Sequence, residues 1–143
     1  MQIKRIIFGS DHAGLELKKY LKDQAGADFE TVDVGVFEKT SCDYPVYAKK
    51  LCSKVLELDS PGILICGSGI GMSMAANRIR GIRAAICVNE YMARMSRMHN
   101  DANVLCLGER NVGIELAASI MRAFLSATFE GGRHQKRIDM IED

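Results

Sequence analysis

Strand-like and helix-like segments alternate five times along this chain of 143 residues. Each strand-like segment is a short apolar run, and the segment after it carries apolar residues at helical spacing. Repeats of this kind with short connections predict a parallel sheet with helices on both faces and right-handed crossovers. We therefore expect an α/β fold with one domain over residues 1–143. It should be three-layer α/β/α and Rossmann-like, with a five-stranded parallel sheet and a C-terminal helical tail.

Glycine, proline and changes of periodicity mark the segment boundaries. In the first helix Leu17 and Leu21 should face the core, with the lysines opposite, and in the last long helix Leu116 and Phe124 should point inward. The expected strands cover residues 3–9, 29–35, 62–66, 82–88 and 104–108, and the expected helices cover residues 12–25, 45–58, 72–78, 90–99 and 112–126.

Composition restricts the class of partner. The net charge is +1, so no overall field would attract nucleic acid or an anionic membrane. The apolar stretches are strand-sized and residues 1–5 lead directly into a strand, so we expect neither a membrane span nor a signal peptide. The five cysteines include no C-x-x-C pair, which argues against a zinc site or disulfides and for a reducing cytoplasm. Cys87 and Cys106 lie in strand-like runs and should be core residues.

A glycine-rich loop follows the third strand, and a cysteine stands where the loop begins. Residues 66–71 read Cys-Gly-Ser-Gly-Ile-Gly. Amide N–H groups in such a loop, and the helix start after it, stabilise negative charge, including charge on the Cys66 sulfur. Cys66 could then act as a general base or as a nucleophile, and the residues leave both open. A buried structural cysteine is the plain alternative.

Other interpretations of the loop fit less well. Its G-x-G-x-G pattern follows the third strand, whereas a dinucleotide fingerprint is G-x-G-x-x-G after the first. Glu90 lies about 20 residues further on, which is a weak match to the ribose-binding acid of that fingerprint. A P-loop is excluded because no G-K-[ST] is present. A tight turn remains possible, but an anion hole for a small substrate fits better.

Polar residues follow several strands, and ligands bind beyond the carboxyl ends of parallel strands. We expect His99, Asn100 and Asp101, at the end of the fourth helix, to join the same edge of the sheet. Asp11 could instead be a helix N-cap, and His99 shares a helix face with methionines that is typical of a core histidine. The histidines show no metal-ligand spacing, so we expect no metal. The residues expected at this edge after strands one, three and five are Asp11, His12, Cys66, Ser68 and Arg110.

Two arginines stand four residues apart in the polar tail. On a helix, Arg133 and Arg137 would share a face and repel each other, and a bound anion would reverse that cost. Together with Arg110 they suggest a phosphate site, because guanidinium groups match phosphate oxygens. A solvated charged tail is the alternative.

Motifs along the whole chain resemble those of the ribose-5-phosphate isomerase B family, which includes allose-6-phosphate and galactose-6-phosphate isomerases. The order and spacing of the motifs match over the full length. They are residues 9–14 (GSDHAG), 43–45 (DYP), 66–71 (CGSGIG), 75–78 (AANR), 81–84 (GIRA), 96–97 (SR), 99–101 (HND) and 130–134 (EGGRH).

The resemblance implies a sugar-phosphate isomerase that needs no metal or cofactor. It implies interconversion of ribose 5-phosphate and ribulose 5-phosphate through a cis-enediolate, with Cys66 as the base that moves a proton between C2 and C1. One branch of the family has a glutamate base shortly after the glycine loop, but here that position is Met72. It also implies a homodimer or dimer of dimers with shared active sites. The short polar tail, residues 131–143, should gain little from its own chain and pack on the partner subunit.

The resemblance assigns the remaining site residues by position. Asp11 and His99 would open the sugar ring and bind its hydroxyls, and Ser68 would lie beside the base. The amides of residues 67–71 would bind the enediolate, and Arg133 and Arg137 would come from the partner subunit. The residues expected to contact substrate are His12, Tyr44, Gly67, Gly69, Ile70, Gly71, Asn100, Arg110, Arg133 and Arg137.

Two functions of other classes remain. A non-catalytic sugar-phosphate-binding subunit is disfavoured because Cys66 and His99 are both present. A redox thiol enzyme is disfavoured because no resolving cysteine stands nearby in the sequence. The sequence does not set the preferred sugar.

Overall fold

The computed structural model describes residues 2–142, so Met1 and Asp143, the two ends of the expected domain, lie outside it. Five parallel strands form one sheet in the order β2-β1-β3-β5-β4, which confirms the predicted sheet. The strands are β1 (Arg5–Ser10), β2 (Glu30–Asp33), β3 (Gly62–Cys66), β4 (Ala84–Ile86) and β5 (Val104–Gly108).

Helices cover both faces of the sheet, as the three-layer prediction requires. Helices α1, α4 and α5 pack on one face, and α2 and α3 pack on the other. No helix within residues 2–142 is long and apolar enough to cross a membrane. After a 3₁₀ turn at His12–Gly14, the helices are α1 (Leu15–Ala25), α2 (Tyr44–Leu58), α3 (Ile70–Ala76), α4 (Glu90–Met98), α5 (Ile114–Ser126) and α6 (Arg133–Asp139).

The central strands β3 and β5 are buried along their whole length. Their side chains alternate between the two apolar layers, so Cys66 and Cys106 face the layer of α2 and α3. Burial raises the pKa of Cys52 to about 12 and that of Cys87 to about 11. Cys87 and Cys106 are therefore core thiols, as predicted.

Two predictions about helix faces are wrong. Leu116 of α5 is exposed rather than inward. Lys18 of α1 is fully buried, where its ammonium donates to Asp33 Oδ1 at 2.8 Å and to the carbonyl of Val36. Burial lowers the pKa of Lys18, and the bond to Asp33 opposes that shift. This buried ion pair fixes the chain as it leaves β2 and enters the loop before α2.

The predicted C-terminal helix exists, but it packs on its own chain. His134 and Ile138 of α6 are buried, and Gly81 donates its amide to Glu142 Oε1 at 2.7 Å. The expectation that this helix gains little from its own chain is therefore wrong. The polar sequence suggested weak packing because only two side chains of the helix are buried and the rest face solvent.

The carboxyl ends of the central strands approach neighbouring backbone very closely. Gly14 lies directly against the carbonyl of Ile65, where an added Cβ would overlap the carbonyl oxygen. A Cβ on Gly108 would lie 2.5 Å from the carbonyl carbon and oxygen of Ser68. Glycine is required at both positions because the opposing atoms belong to the backbone.

We expect Gly14→Ala to lower the free energy of unfolding by about 1–3 kcal/mol, because the methyl group displaces the end of β3. The matched control is Gly113→Ala, where an added Cβ would meet nothing within 4 Å. That variant should stay within about 0.5 kcal/mol of the parent protein. Urea unfolding of the three proteins measures both differences, and equal stability of the two variants would contradict the close approach.

Candidate active site

Strands β1, β3 and β5 deliver their polar residues to one edge of the sheet. Ser10 is in register with Ile65, and Cys66 is in register with Gly108. The Glu109 amide donates to the Cys66 carbonyl at 2.9 Å. The predicted gathering of Asp11, Cys66 and Arg110 at the carboxyl edge is therefore observed. This edge includes the point between β1 and β3 where the strand order reverses, the usual ligand site of such sheets.

The Cys66 thiol lies at the base of the glycine loop. Its side chain is mostly buried, with 5% of the residue exposed, and Sγ accepts a hydrogen bond from the Gly69 amide at 3.1 Å. Gly69 has a φ of +82°, a conformation that favours glycine. The N–H donor stabilises negative charge that develops on the sulfur.

Some backbone amides of the loop donate to the protein's own atoms, and the others are left for a potential ligand. Gly69 donates to the Cys66 sulfur, and Ile70 donates to Ser68 Oγ at 3.2 Å. These two amides thus serve the protein's own atoms, which differs from their predicted role as ligand donors. The amides of Gly67, Ser68 and Gly71 remain as the predicted anion hole.

The side chains of Tyr44 and Arg110, both predicted to contact substrate, flank the glycine loop. An added Cβ on Gly71 would lie 2.7 Å from the Tyr44 ring, and one on Gly67 would lie 2.9 Å from Arg110 Nη1. Both glycines therefore leave room for side chains that rest on the loop. Asn111 donates from Nδ2 to the Ser68 carbonyl at 2.6 Å and holds the loop in place. The sequence interpretation missed Asn111, although it directly follows Arg110.

Asp11 is the N-cap of the 3₁₀ turn. Its Oδ1 accepts from the amides of Ala13 at 2.9 Å and Gly14 at 3.1 Å. Capping uses this one carboxylate oxygen, so a cap and a substrate role are compatible. Glu109, which received no predicted role, accepts from the Leu17 amide at 2.8 Å and caps the first turn of α1.

The contacts of His12 define its neutral tautomer. The Cys42 amide donates to His12 Nδ1 at 3.3 Å, so Nδ1 is the acceptor nitrogen. In the neutral ring the proton then resides on Nε2, which is free to donate to an anion. The Cys42 sulfur lies 3.7 Å from the same Nδ1.

His99, Asn100 and Asp101 lie at the opposite edge of the sheet, so their predicted position beside Cys66 is wrong. Helix α4 starts beyond the carboxyl end of β4 and runs back along the sheet. The Asn100 carbonyl accepts from Arg83 Nε at 2.9 Å, and Arg83 directly precedes β4. A helix that follows a strand in a βα unit ends at the amino edge, and this direction was overlooked.

The C-terminal helix lies at the same amino edge. His134 stacks on His99 with ring centroids 4.2 Å apart, and Glu142 contacts Gly81 just before β4. Arg133 and Arg137 are exposed on this helix. Within residues 2–142, the predicted site residues therefore form two groups on opposite edges of the sheet.

The Glu130 carboxylate lies beside the Nε2 atoms of the two stacked histidines. Its Oε1 is 3.4 Å from His134 Nε2 and 3.7 Å from His99 Nε2. Burial lowers the pKa of His134, and the charges of His99, Arg133 and Arg137 lower it further while Glu130 acts in the opposite direction. The prediction of no metal-ligand set considered only spacing along the chain and missed this group, whose members are 31 and 35 residues from His99.

Comparison with known proteins agrees with the architecture and with the motifs. The sequence matches the Ribose/Galactose Isomerase family over residues 6–141. It is 46% identical over 142 residues to ribose-5-phosphate isomerase B of Escherichia coli K12, covering 97% of this chain and 95% of that protein. The structure matches ribose 5-phosphate isomerase B of Thermotoga maritima with a TM-score of 0.95 at 49% identity, covering 97% of each chain.

A second solved structure carries a ligand. Ribose-5-phosphate isomerase B of Mycoplasma genitalium with bound ribulose-5-phosphate matches with a TM-score of 0.94 at 43% identity, covering 99% of this chain and 95% of that one. The resemblance seen in the motifs is confirmed, and the chain belongs to the ribose/galactose isomerase family and is an isomerase.

Proposed function

We propose that this isomerase interconverts ribose 5-phosphate and ribulose 5-phosphate through a cis-enediolate. The observation that carries the proposal is the Cys66 thiol, hydrogen-bonded by the Gly69 amide at the base of a loop flanked by Tyr44 and Arg110. The relative with bound ribulose-5-phosphate supports the choice of substrate. Steady-state turnover of ribose 5-phosphate, allose 6-phosphate and galactose 6-phosphate tests it, and a preference for either hexose phosphate would contradict it.

Cys66 is the proposed base of the first half-reaction, as the thiolate, and the acid of the second, as the thiol. It takes a proton from C2 of the aldose and gives it to C1 of the enediolate, while the hydroxyl proton passes from O2 to O1, so atoms and charge balance. The amides of Gly67, Ser68 and Gly71 would stabilise the negative oxygen of the intermediate. Met72, at the position of the alternative glutamate base, is fully buried in the core and cannot accept a proton.

A complete site requires two chains. Strand β3 has five residues and spans about 16 Å, so one chain cannot bring its two edges together at a small substrate. We propose that each site combines the carboxyl edge of one chain with the amino edge of its partner in a homodimer or dimer of dimers. Part of the tail, residues 131–143, would then pack on the partner subunit.

Exposed apolar side chains on two helices support this assembly. Ile70 and Met74 lie four residues apart on α3, and Met74 is 66% exposed. Val88, Tyr91 and Met92 are exposed around the start of α4. A second copy of the chain would cover these side chains and remove them from water.

Sugar and phosphate would be held from both sides. Asp11 of one chain and His99 of the partner subunit would open the ring. Tyr44 of the first chain and Asn100 of the partner subunit would contact the hydroxyls. The phosphate would be bound by His12 Nε2–H and Arg110 of one chain and by Arg133 and Arg137 of the partner subunit. This binding would position C1 and C2 at the thiol. The five free thiols suit a reducing compartment, and we propose the cytoplasm.

We expect Cys66→Ala to lower turnover by about 10²–10⁴-fold, because it removes the proton-transfer group. Binding of a non-reactive sugar-phosphate analogue should change little, since the phosphate contacts remain. The matched control is Cys87→Ala, which removes a buried thiol from the other layer and should keep near-normal turnover. Steady-state kinetics and calorimetry measure both effects, and near-normal turnover of Cys66→Ala would rule out the thiol as the base.

The shared site predicts complementation between two inactive variants. Cys66→Ala and Arg137→Ala should each be nearly inactive as homodimers. When they are unfolded together and refolded, about half the dimers should be mixed and about a quarter of all sites should be intact, because one site of a mixed dimer carries both defects. Activity of the refolded mixture, with mixed dimers verified by native mass spectrometry, measures the recovery.

The control for this experiment pairs two defects from one edge. A mixture of Cys66→Ala and Arg110→Ala leaves one defect in every site, so it should recover nothing. A mixture of Cys66→Ala and His99→Ala should recover as well as the Arg137 mixture, because His99 lies on the other edge. Equal recovery in all three mixtures, or in none, would refute the division of the site between edges.

Catalysis should not depend on a metal ion, because Asp11 and His99 for ring opening, together with the thiol, the loop amides and the arginines, supply every proposed step. We expect full activity after dialysis against a strong chelator and no gain when Mg²⁺, Mn²⁺ or Zn²⁺ is added. Metal content by mass spectrometry verifies the removal. Activity that is lost on chelation and restored by a divalent ion would contradict the proposed chemistry.

A further inference from the structure

Three potential metal ligands meet at the amino edge of the sheet, although they come from three segments of the chain. His99 directly follows α4, Glu130 lies between α5 and α6, and His134 is in the first turn of α6. One ligand atom from each lies within 4.8 Å of the others. We refer to His99, Glu130 and His134 as the amino-edge triad.

The triad is not a hydrogen-bonded group. The distances of 3.4 Å and 3.7 Å from Glu130 Oε1 to the two Nε2 atoms exceed the usual length of about 2.7–2.9 Å for charge-assisted hydrogen bonds. The His134 side chain is 9% exposed, and its Nε2 is buried with no hydrogen-bond partner within the described residues. A buried polar atom without a partner is rare in native proteins, and here it faces a carboxylate and a second imidazole.

The spacing of the triad suits a metal ion. Ligands about 2.1 Å from a tetrahedral Zn²⁺ lie about 3.4 Å from one another, close to the two distances from Glu130. The imidazole planes differ by only 12°, so one ring must rotate before both lone pairs point to a common centre. His99 can rotate because its side chain is 37% exposed.

The charge and chemistry of the ligands favour a particular class of ion. Histidine binds metal through an unprotonated ring nitrogen, and the buried His134 Nε2 has no hydrogen-bond partner within the described residues. The two arginines oppose binding of any cation, while the Glu130 carboxylate favours it. Two imidazoles and one carboxylate therefore select an ion with high affinity for nitrogen, in the class of Zn²⁺ and Co²⁺, over Mg²⁺ or Ca²⁺.

We propose that the amino-edge triad binds one Zn²⁺-class ion per chain, with the remaining coordination position open to water. The ion would use His99, so it would compete with the sugar phosphate for the same side chain. This competition rests on the proposed function, whereas the ion site itself does not. The expected result is that Zn²⁺ inhibits the enzyme competitively and chelation relieves the inhibition.

Titration with Co²⁺ in the absence of substrate tests the site directly. The parent protein should bind one Co²⁺ per chain, with visible d–d bands typical of nitrogen and oxygen ligands and no thiolate charge-transfer band. Glu130→Gln and His134→Gln keep the size of each side chain and should weaken binding by about tenfold or more. Bound Co²⁺ should also raise the Tm of the parent protein more than that of either variant.

Two further variants make the result decisive. Glu115→Gln changes an exposed glutamate near the start of α5 and should bind like the parent protein. Cys42→Ser removes the half-buried thiol 3.7 Å from His12 Nδ1, a second place where two potential metal ligands meet, and should also leave binding unchanged. Absence of Co²⁺ binding, or equal binding by all the variants, would overturn the site. Binding without inhibition would leave the site in place and count against the proposed role of His99.

Discussion

Close backbone contact at the carboxyl ends of β1, β3 and β5 determines the shape of the candidate site. Gly14 lies against Ile65, and Gly108 lies against the carbonyl group of Ser68. These contacts place the 3₁₀ turn, the glycine loop and the start of the β5–α5 connection side by side at the carboxyl edge of the sheet. The Asp11 amide donates to the Ile65 carbonyl at 3.2 Å and the Arg110 amide donates to the Gly67 carbonyl at 3.0 Å, so both residues flank the segment that carries Cys66.

The same contacts explain why the loop needs little support from regular structure. Helix α3 has only seven residues, yet the loop before it is held by Asn111 on the Ser68 carbonyl and by the Tyr44 ring against Gly71. On the other side of the site, the buried Lys18–Asp33 pair anchors the chain that leads to Cys42 and so orients His12. Residues far from the substrate thus position the groups proposed to touch it.

Periodicity was sufficient to predict the order of the elements. It placed Asp11, Cys66 and Arg110 correctly at the carboxyl edge, whereas His99, Asn100 and Asp101 lie at the other edge. The strands β3 and β5 were predicted with their observed ends because both are continuous apolar runs bounded by glycine or by the glycine loop. The edge strands β2 and β4 are shorter than predicted, since each pairs on one side only. Burial of Lys18 was not predictable, because its partner Asp33 lies 15 residues away on another element.

The position of His99 shows a different limit. The direction of α4 decides which edge of the sheet His99 occupies, and the distance along the chain between His99 and Cys66 does not. The group of His99, Glu130 and His134 was missed for the same reason, since its members meet only after α5 returns the chain to the amino edge. The family motifs supplied the candidate residues. The order of the elements already implied that His99 lies at the amino edge, because a helix that follows a strand ends there, whereas the contact of Glu130 and His134 with His99 is visible only in the structure.

The placement of these two groups on opposite edges has a consequence for how the enzyme responds to dilution. If each site needs both edges, a folded but separate chain has no complete site, and activity per chain becomes a measure of association. Specific activity would then fall as enzyme concentration drops below the dissociation constant of the dimer, with no loss of secondary structure. A substitution on the exposed face of α3 or α4 could thereby abolish turnover without touching a substrate atom or lowering the stability of the chain itself.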